Sequence, residues 1–97
     1  DIEMLTGKQK RELRKMAHHL NPIFQVGKDG VSLNMLEGIE DALIKHELMK
    51  VKVLDTCEED TRVVALKISE YTKAEVVQII GRTIVFYLYN KEGTIRI

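Results

Sequence analysis

The sequence has little of several residue types on which common folds and sites depend. Cys57 is the only cysteine, so the chain cannot form an internal disulfide, and a single thiol fits a reducing cytoplasm. There is no tryptophan, one proline and no low-complexity run, which argues against wholesale disorder. The longest apolar runs are far too short to span a membrane. What remains is 97 residues with 44% hydrophobic content, enough for one domain with a hydrophobic core.

The N terminus shows no charged region followed by a long apolar stretch, which a signal peptide would require. We therefore expect a cytoplasmic protein. Asp1-Ile2-Glu3 stand ahead of Met4, and we interpret these three residues as a remnant of expression cloning. The expected single domain covers residues 4–97.

The chain has no net charge, with 15 basic and 15 acidic residues, but the two signs are segregated. Residues 8–15 contain five basic side chains and one acid, Glu12. Residues 55–60 contain four acids and no base. A zero net charge argues against a nonspecific polycation, whereas segregated charge is compatible with nucleic-acid binding.

Hydrophobic periodicity predicts three helices, over residues 5–20, 33–46 and 61–73. Four β-rich runs are predicted at residues 23–26, 48–54, 75–80 and 83–89. The short link at Gly81-Arg82 favours an antiparallel hairpin, and residues 94–97 form either an edge strand or a frayed end. The order α-β-α-β-α-β-β predicts an α/β fold. It is a two-layer sandwich, in which a mixed four-stranded sheet has its helices mainly on one face.

The first predicted helix separates apolar from cationic residues. Thr6 and Gln9 have the form of a capping box, and Asn21-Pro22 ends the helix. One arc is apolar and should pack on the core: Leu13, Met16, Ala17 and Leu20. The other side is an almost uninterrupted cationic stripe, formed by Lys8, Lys10, Arg11, Arg14, Lys15, His18 and His19. Because solvated helix faces usually mix charges of both signs, this stripe favours an anionic partner, although such faces also arise by chance.

The second predicted helix has an apolar side and an acidic side. Ser32 or Asn34 can cap it. Its outer face is marked by acids: Glu37, Glu40, Asp41 and Glu47. Gly38 lies inside the helix, where glycine costs up to about 1 kcal/mol relative to alanine, and it is compatible with close packing.

Between the first strand and the second helix lies Gly27-Lys28-Asp29-Gly30, which we call the glycine loop. Glycines allow another backbone to come close, and a helix start offers free N–H groups to an anion. Lys28 adds a cation, so a Gly-x-x-Gly loop of this kind can clamp nucleic-acid backbone. Asp29 either caps the helix or weakens phosphate binding. An isolated Gly-x-x-Gly is more often a simple turn, but in a compact fold this loop and the cationic stripe can lie on one side.

No set of residues predicts catalysis or a metal site. The four acids around Cys57 disfavour the thiolate that a cysteine nucleophile requires. His18 and His19 point about 100° apart on a helix, and no further Cys or His cluster completes a metal site. No nucleophile elbow, phosphate-binding P-loop or dinucleotide fingerprint is present. We therefore expect no enzyme activity and no cofactor.

Nucleic-acid backbone binding is the function class that these features favour. Arg82 could add a contact at a different edge, or be a solvent-facing turn residue. The aromatic residues of the strands are expected in the core. A protein-interaction module remains open, because the acids at residues 55–60 and on the second helix could face a basic partner.

Four motifs in order resemble the CRM domain, named for chloroplast RNA splicing and ribosome maturation. The first two are Leu5-Thr6-Gly7-Lys8-Gln9-Lys10-Arg11 with Leu13-Arg14 and Ala17-His18, and Val26-Gly27-Lys28-Asp29-Gly30-Val31. The others are Ile39 with Ala42-Leu43, His46-Glu47-Leu48 and Lys50-Val51-Lys52, and Gln78-Ile79-Ile80-Gly81-Arg82-Thr83-Ile84-Val85-Phe86-Tyr87.

The chain is most similar to the small bacterial single-domain members, the YhbY type. The resemblance implies a fold similar to the C-terminal domain of translation initiation factor three. It also implies binding of RNA in the large ribosomal subunit precursor, through the glycine loop and the basic first helix. We therefore expect RNA, and neither a membrane nor a small-molecule substrate, as the partner; a ribosome-associated adaptor for proteins is the alternative. The expected contacts are Lys8, Lys10, Arg11, Arg14, Lys15, His18, Gly27, Lys28, Asp29, Gly30 and Arg82.

Overall fold

The structure is a computed structural model that describes residues 5–95 and residue 97. Its helices are α1 (Gly7–Ala17), α2 (Leu33–His46) and α3 (Thr61–Thr72). Its strands are β1 (Phe24–Val26), β2 (Leu48–Val53), β3 (Glu75–Ile80) and β4 (Thr83–Tyr87). This order and the α/β class confirm the prediction. The interpretation of residues 1–3 as a cloning remnant, and the start of the domain at Met4, lie outside the described residues.

The four strands form one mixed sheet in the order β1-β2-β4-β3. β1 pairs with β2 in parallel, whereas β2 with β4 and β3 with β4 are antiparallel. The β3–β4 hairpin turns at Gly81, whose φ of +58° lies in the region that favours glycine. The ends of β1 and β2 and the start of β4 therefore meet at one end of the sheet, which we call the loop end.

Side chains of the sheet alternate between two hydrophobic clusters. Met49, Val51 and Val53 of β2 are buried in the larger cluster, together with residues of α2 and α3. Leu48 belongs to the smaller cluster, which Leu13 and Ala17 of α1 complete. Two helices therefore share one face, as expected. α1 covers part of the opposite face, which gives the fold a further layer that the two-layer prediction did not include.

α1 is shorter than predicted, and fewer of its apolar side chains are buried than expected. Its N terminus has the expected capping box, in which the Thr6 hydroxyl accepts from Gln9 N–H and the Gln9 side chain accepts from Thr6 N–H. Leu13 and Ala17 are buried, but Met16 and Leu20 are 39% and 38% exposed. The expected four-residue core arc is wrong because the helix ends at Ala17. Helical periodicity stops applying before Leu20, and Met16 lies at the border of the buried side.

α2 packs closely on the first strand. Ser32 caps it, since its hydroxyl accepts from Met35 N–H at 3.1 Å. A Cβ atom on Gly38 would lie 3.4 Å from the Phe24 ring, so this glycine marks a close approach of α2 to β1. The expected close packing at Gly38 is confirmed.

Glu47 does not belong to the exposed acidic face on which the sequence placed it. Glu47 is only 3% exposed. Its φ is +69°, because the chain reverses direction there between α2 and β2. Its carboxylate accepts from Thr94 N–H at 2.7 Å and from Ile95 N–H at 3.3 Å. Thr94 and Ile95 are not in a strand, yet Glu47 holds their backbone against the fold. Neither alternative for residues 94–97, edge strand or frayed end, describes these two residues.

Glu47→Ala is expected to lower the free energy of unfolding by about 2–3 kcal/mol, because charge-assisted hydrogen bonds to the C-terminal segment are lost. Urea unfolding measures the change. Glu37→Ala, at an exposed acid of α2, is the matched control and should stay within about 0.5 kcal/mol of the parent. Equal stability of the two variants would contradict the anchoring role of Glu47.

Candidate nucleic-acid interface

The glycine loop is a closed turn at the loop end of the sheet. Gly30 N–H donates to the Gly27 carbonyl at 3.0 Å, and Gly30 has a φ of +69°. Lys28 and Asp29 are exposed at its tip. Ser32 caps α2, so the role of helix cap proposed for Asp29 is wrong. Asp29 instead places a carboxylate in solvent beside the amide groups that would meet a phosphate.

The acidic residues 55–60 lie directly beside this loop, which the sequence did not show. Parallel pairing brings the start of this segment to β1, because Leu54 N–H donates to the Val26 carbonyl at 2.8 Å. A Cβ on Gly27 would lie 3.4 Å from Thr56 Oγ1, and one on Gly30 would lie 3.2 Å from Glu59 Oε1. The loop therefore sits against a wall that carries negative charge.

Most of these acids have partners of their own. Glu59 pairs with Lys67 of α3, and the Asp60 carboxylate accepts from Arg62 N–H at 2.8 Å as the cap of α3. Asp55 lies 3.7 Å from the Arg82 guanidinium. These contacts offset part of the negative charge beside the loop.

Arg82 lies at the same end of the sheet as the glycine loop, not at a different edge. Its Nη1 donates to the Leu54 carbonyl at 3.2 Å while its Nε faces Asp55. The side chain is half exposed. Arg82 therefore ties the hairpin to the segment beside the loop and keeps part of its cation accessible to solvent.

The cationic stripe of α1 is exposed. Lys8, Arg11, Lys15 and His18 lie in solvent, and Lys10 and Arg14 are half-buried at the border with the sheet. Arg14 Nε donates to the Lys10 carbonyl at 3.3 Å. Glu12, the one acid in this segment, lies 3.7 Å from Lys15. The stripe therefore keeps a strong excess of positive charge.

α1 and the glycine loop do not lie on one side of the sheet, as the sequence interpretation expected. The loop leads into α2, on the face opposite α1. Between them the sheet presents Lys50 and Lys52 on the α1 side, because these residues alternate with the buried Met49, Val51 and Val53. The sequence shows that Lys50 and Lys52 alternate with apolar residues. The sequence alone does not show that the two lysines lie between α1 and the loop end.

Negative charge gathers on the outer side of α2, away from α1. Partial burial raises the pKa of the Tyr71 phenol on α3, and three carboxylates of α2 raise it further: Glu37, Glu40 and Asp41. The molecule thus has one cationic and one acidic face. Within residues 5–95 and 97, no group of acids, histidines and cysteine could hold a metal ion, and no helix is long and apolar enough to cross a membrane.

The two loop glycines are expected to respond differently to substitution. Gly30→Ala should lower the free energy of unfolding by about 1–2 kcal/mol, because alanine is strained at positive φ. Gly27→Ala should change stability by less than about 0.5 kcal/mol, because its φ is not positive and its Cβ would meet ordinary contacts. Thermal unfolding of both variants checks this difference. A larger loss for Gly27→Ala would contradict the assignment of Gly30 as the conformationally required glycine.

Comparison with known proteins assigns the chain to a family. Over 90 residues it is 56% identical to the probable RNA-binding protein YqeI of Bacillus subtilis, covering 93% of this chain and 94% of that protein. It is 41% identical over 93 residues to an RNA-binding protein of Haemophilus influenzae, covering 96% and 94% of the two chains.

A solved structure has the same fold. The solution structure of the hypothetical protein SAV1595 from Staphylococcus aureus matches with a TM-score of 0.79 and 49% sequence identity. The match covers 94% of this chain and 95% of that one. The family model of the CRS1 / YhbY (CRM) domain matches residues 5–87, which span α1 to the end of β4. The chain therefore belongs to the CRS1 / YhbY (CRM) domain family.

Proposed function

We propose that this protein is a non-catalytic RNA-binding protein that acts in the cytoplasm on the precursor of the large ribosomal subunit. The observation that carries the RNA-binding part is the exposed cationic stripe of α1, in which only Glu12 interrupts the positive charge. The names of the relatives in Bacillus subtilis and Haemophilus influenzae support RNA as the ligand. The large-subunit precursor is the RNA that resemblance to the YhbY type implies.

The proposed mechanism is electrostatic grip on the RNA backbone. Lysines and arginines of the stripe neutralise phosphates, and the amides and Lys28 of the glycine loop hold a further one. The stripe and the glycine loop differ in positive potential. Asp29 and Glu59 lower the positive potential at the loop, whereas Glu12 is the one acid within residues 8–15, which hold five cations of the stripe. We therefore expect α1 to supply most of the affinity, and the loop to fix where the backbone lies.

A second candidate is an adaptor that binds ribosomal proteins and touches RNA incidentally. The acidic outer side of α2 favours it, since a basic protein could dock there. Crosslinking in cells, with identification of the attached molecules and nucleotides, separates the two. Crosslinks to nucleotides of the large-subunit precursor are expected, whereas crosslinks to proteins alone would favour the adaptor.

The double variant Arg11→Ala, Lys28→Ala should bind structured ribosomal RNA about tenfold more weakly, because two phosphate contacts are lost. Fluorescence anisotropy measures the affinity, and thermal unfolding checks that the fold is retained. The matched control is Lys45→Ala, Lys91→Ala, which removes two exposed cations, one on α2 and one in the turn whose Asn90 side chain donates to the Ile44 carbonyl of α2. Equal affinity of the two double variants would remove Arg11 and Lys28 from the site.

Binding should weaken steeply as salt is added, because each phosphate contact releases counterions. If four cations each contact one phosphate of single-stranded RNA, the logarithm of the association constant falls with the logarithm of salt concentration with a slope of about −3. Titrations at several potassium chloride concentrations give this slope. A slope near zero would exclude an electrostatic grip and leave base contacts as the source of affinity.

A further inference from the structure

α1 leaves half of its side of the sheet uncovered. The residues that it buries lie at the end far from the glycine loop: Leu48, Val77, Val85 and Tyr87. Strand register assigns the remaining half of this face, which we call the ledge, to Gln25, Lys50, Lys52, Gln78, Ile80 and Thr83. Lys50 is half-buried next to α1, and Lys52 is exposed nearer the loop end.

The hand of the fold decides which flank of α1 borders the ledge. The parallel β1-α2-β2 unit is expected to cross over right-handedly. α1 crosses the sheet from β3 towards β1, because it contacts β2, β3 and β4 and a short segment joins its end to β1. With these two directions, the right-handed turn of the helix is expected to place Lys10 and Arg14 above the ledge and Glu12 on the opposite flank. Lys10, Arg14 and Glu12 are all half-buried, as expected for residues on the two flanks beside the buried side of the helix.

We propose that the ledge is an RNA-binding surface that joins α1 to the loop end, with Lys50 and Lys52 as phosphate contacts. This inference rests on the proposed RNA-binding function and extends its site to a surface between the two parts already named. None of the ledge residues is acidic, and Lys10 and Arg14 add cations along its border. Lys50 and Lys52 are two positions apart on β2, so their Cα atoms lie about 6.6 Å apart along the strand. That row leads from α1 towards Lys28 and Arg82.

The shape of the ledge favours a single strand. An α-helix is about 10–12 Å across with its side chains, so α1 forms a wall beside the sheet. A rigid duplex would rest on top of α1 and be held away from Lys52, whereas a flexible strand can lie against the sheet. Among the residues that the structure describes, the six that form the ledge include no aromatic side chain: Phe24 and Phe86 face the other side, and Tyr87 is buried under α1. The ledge therefore grips backbone and offers no ring for base stacking.

The test removes the ledge cations from the full chain. Lys50→Gln, Lys52→Gln is compared with the control Lys45→Gln, Lys91→Gln, using labelled oligouridine of about 16 nucleotides, the upper end of common single-strand site sizes. The ledge variant should bind several-fold more weakly than the control, and its salt slope should be less steep by about 1.4, since each single-strand phosphate contact contributes about 0.7. Oligoadenosine of the same length should show the same loss, because no base is read.

The outcomes separate this inference from the proposed function. If the Arg11→Ala, Lys28→Ala variant binds weakly while the ledge variant matches its control, the protein grips RNA without the ledge, and the inference is overturned. If neither variant differs from its control, the proposed electrostatic function fails as well. A loss confined to an RNA duplex would overturn the single-strand assignment. Thermal unfolding of each variant shows whether a loss of binding comes from loss of fold.

Discussion

The alternation of side chains along β2 is the constraint on which the rest of the structure depends. β2 lies inside the sheet, between parallel β1 and antiparallel β4, so its side chains must fit the surroundings on both faces of the sheet at once. Met49, Val51 and Val53 fill the core beneath α2 and α3, and Leu48 fills the smaller core beneath α1. A shift of one residue in register would bury the two lysines and expose three apolar side chains. The same alternation that holds the helices in place thus sets the cations of the sheet on the side of α1.

Local chemistry made the order of elements predictable, whereas contacts between distant segments stayed hidden. Thr6 with Gln9 and Ser32 mark helix starts through residues within three positions, and both caps are present. Glu47 was misplaced because its partners, the amides of Thr94 and Ile95, are 47 and 48 residues away. Leu20 was misplaced because periodicity does not show that the helix ends at Ala17, and Met16 because periodicity does not show where the border of the buried side lies.

The surroundings of the glycine loop escaped sequence reasoning for a related reason. The composition of residues 27–30 predicts a turn, and the structure has one. That the acids of residues 55–60 stand beside it follows from parallel pairing of β1 with β2, two strands separated by a whole helix. Neighbouring parallel strands end at the same end of the sheet, so the acidic segment that follows β2 must lie beside the glycine loop that follows β1. The pattern of charges along the chain therefore understated how closely opposite signs approach in space.

The separation of charge onto two faces also determines how far each face acts. The molecule measures 36 × 24 × 23 Å, with α1 and the acidic side of α2 on opposite sides of the sheet. At physiological ionic strength the screening length is about 8 Å, so a polyanion at α1 does not sense the acids across the molecule. At about 0.01 M salt it grows to about 30 Å, longer than the molecule is thick, and attraction and repulsion then act together. Although the chain has no net charge, a molecule in contact with the cationic stripe meets a strongly positive surface. A molecule farther away meets almost no net charge.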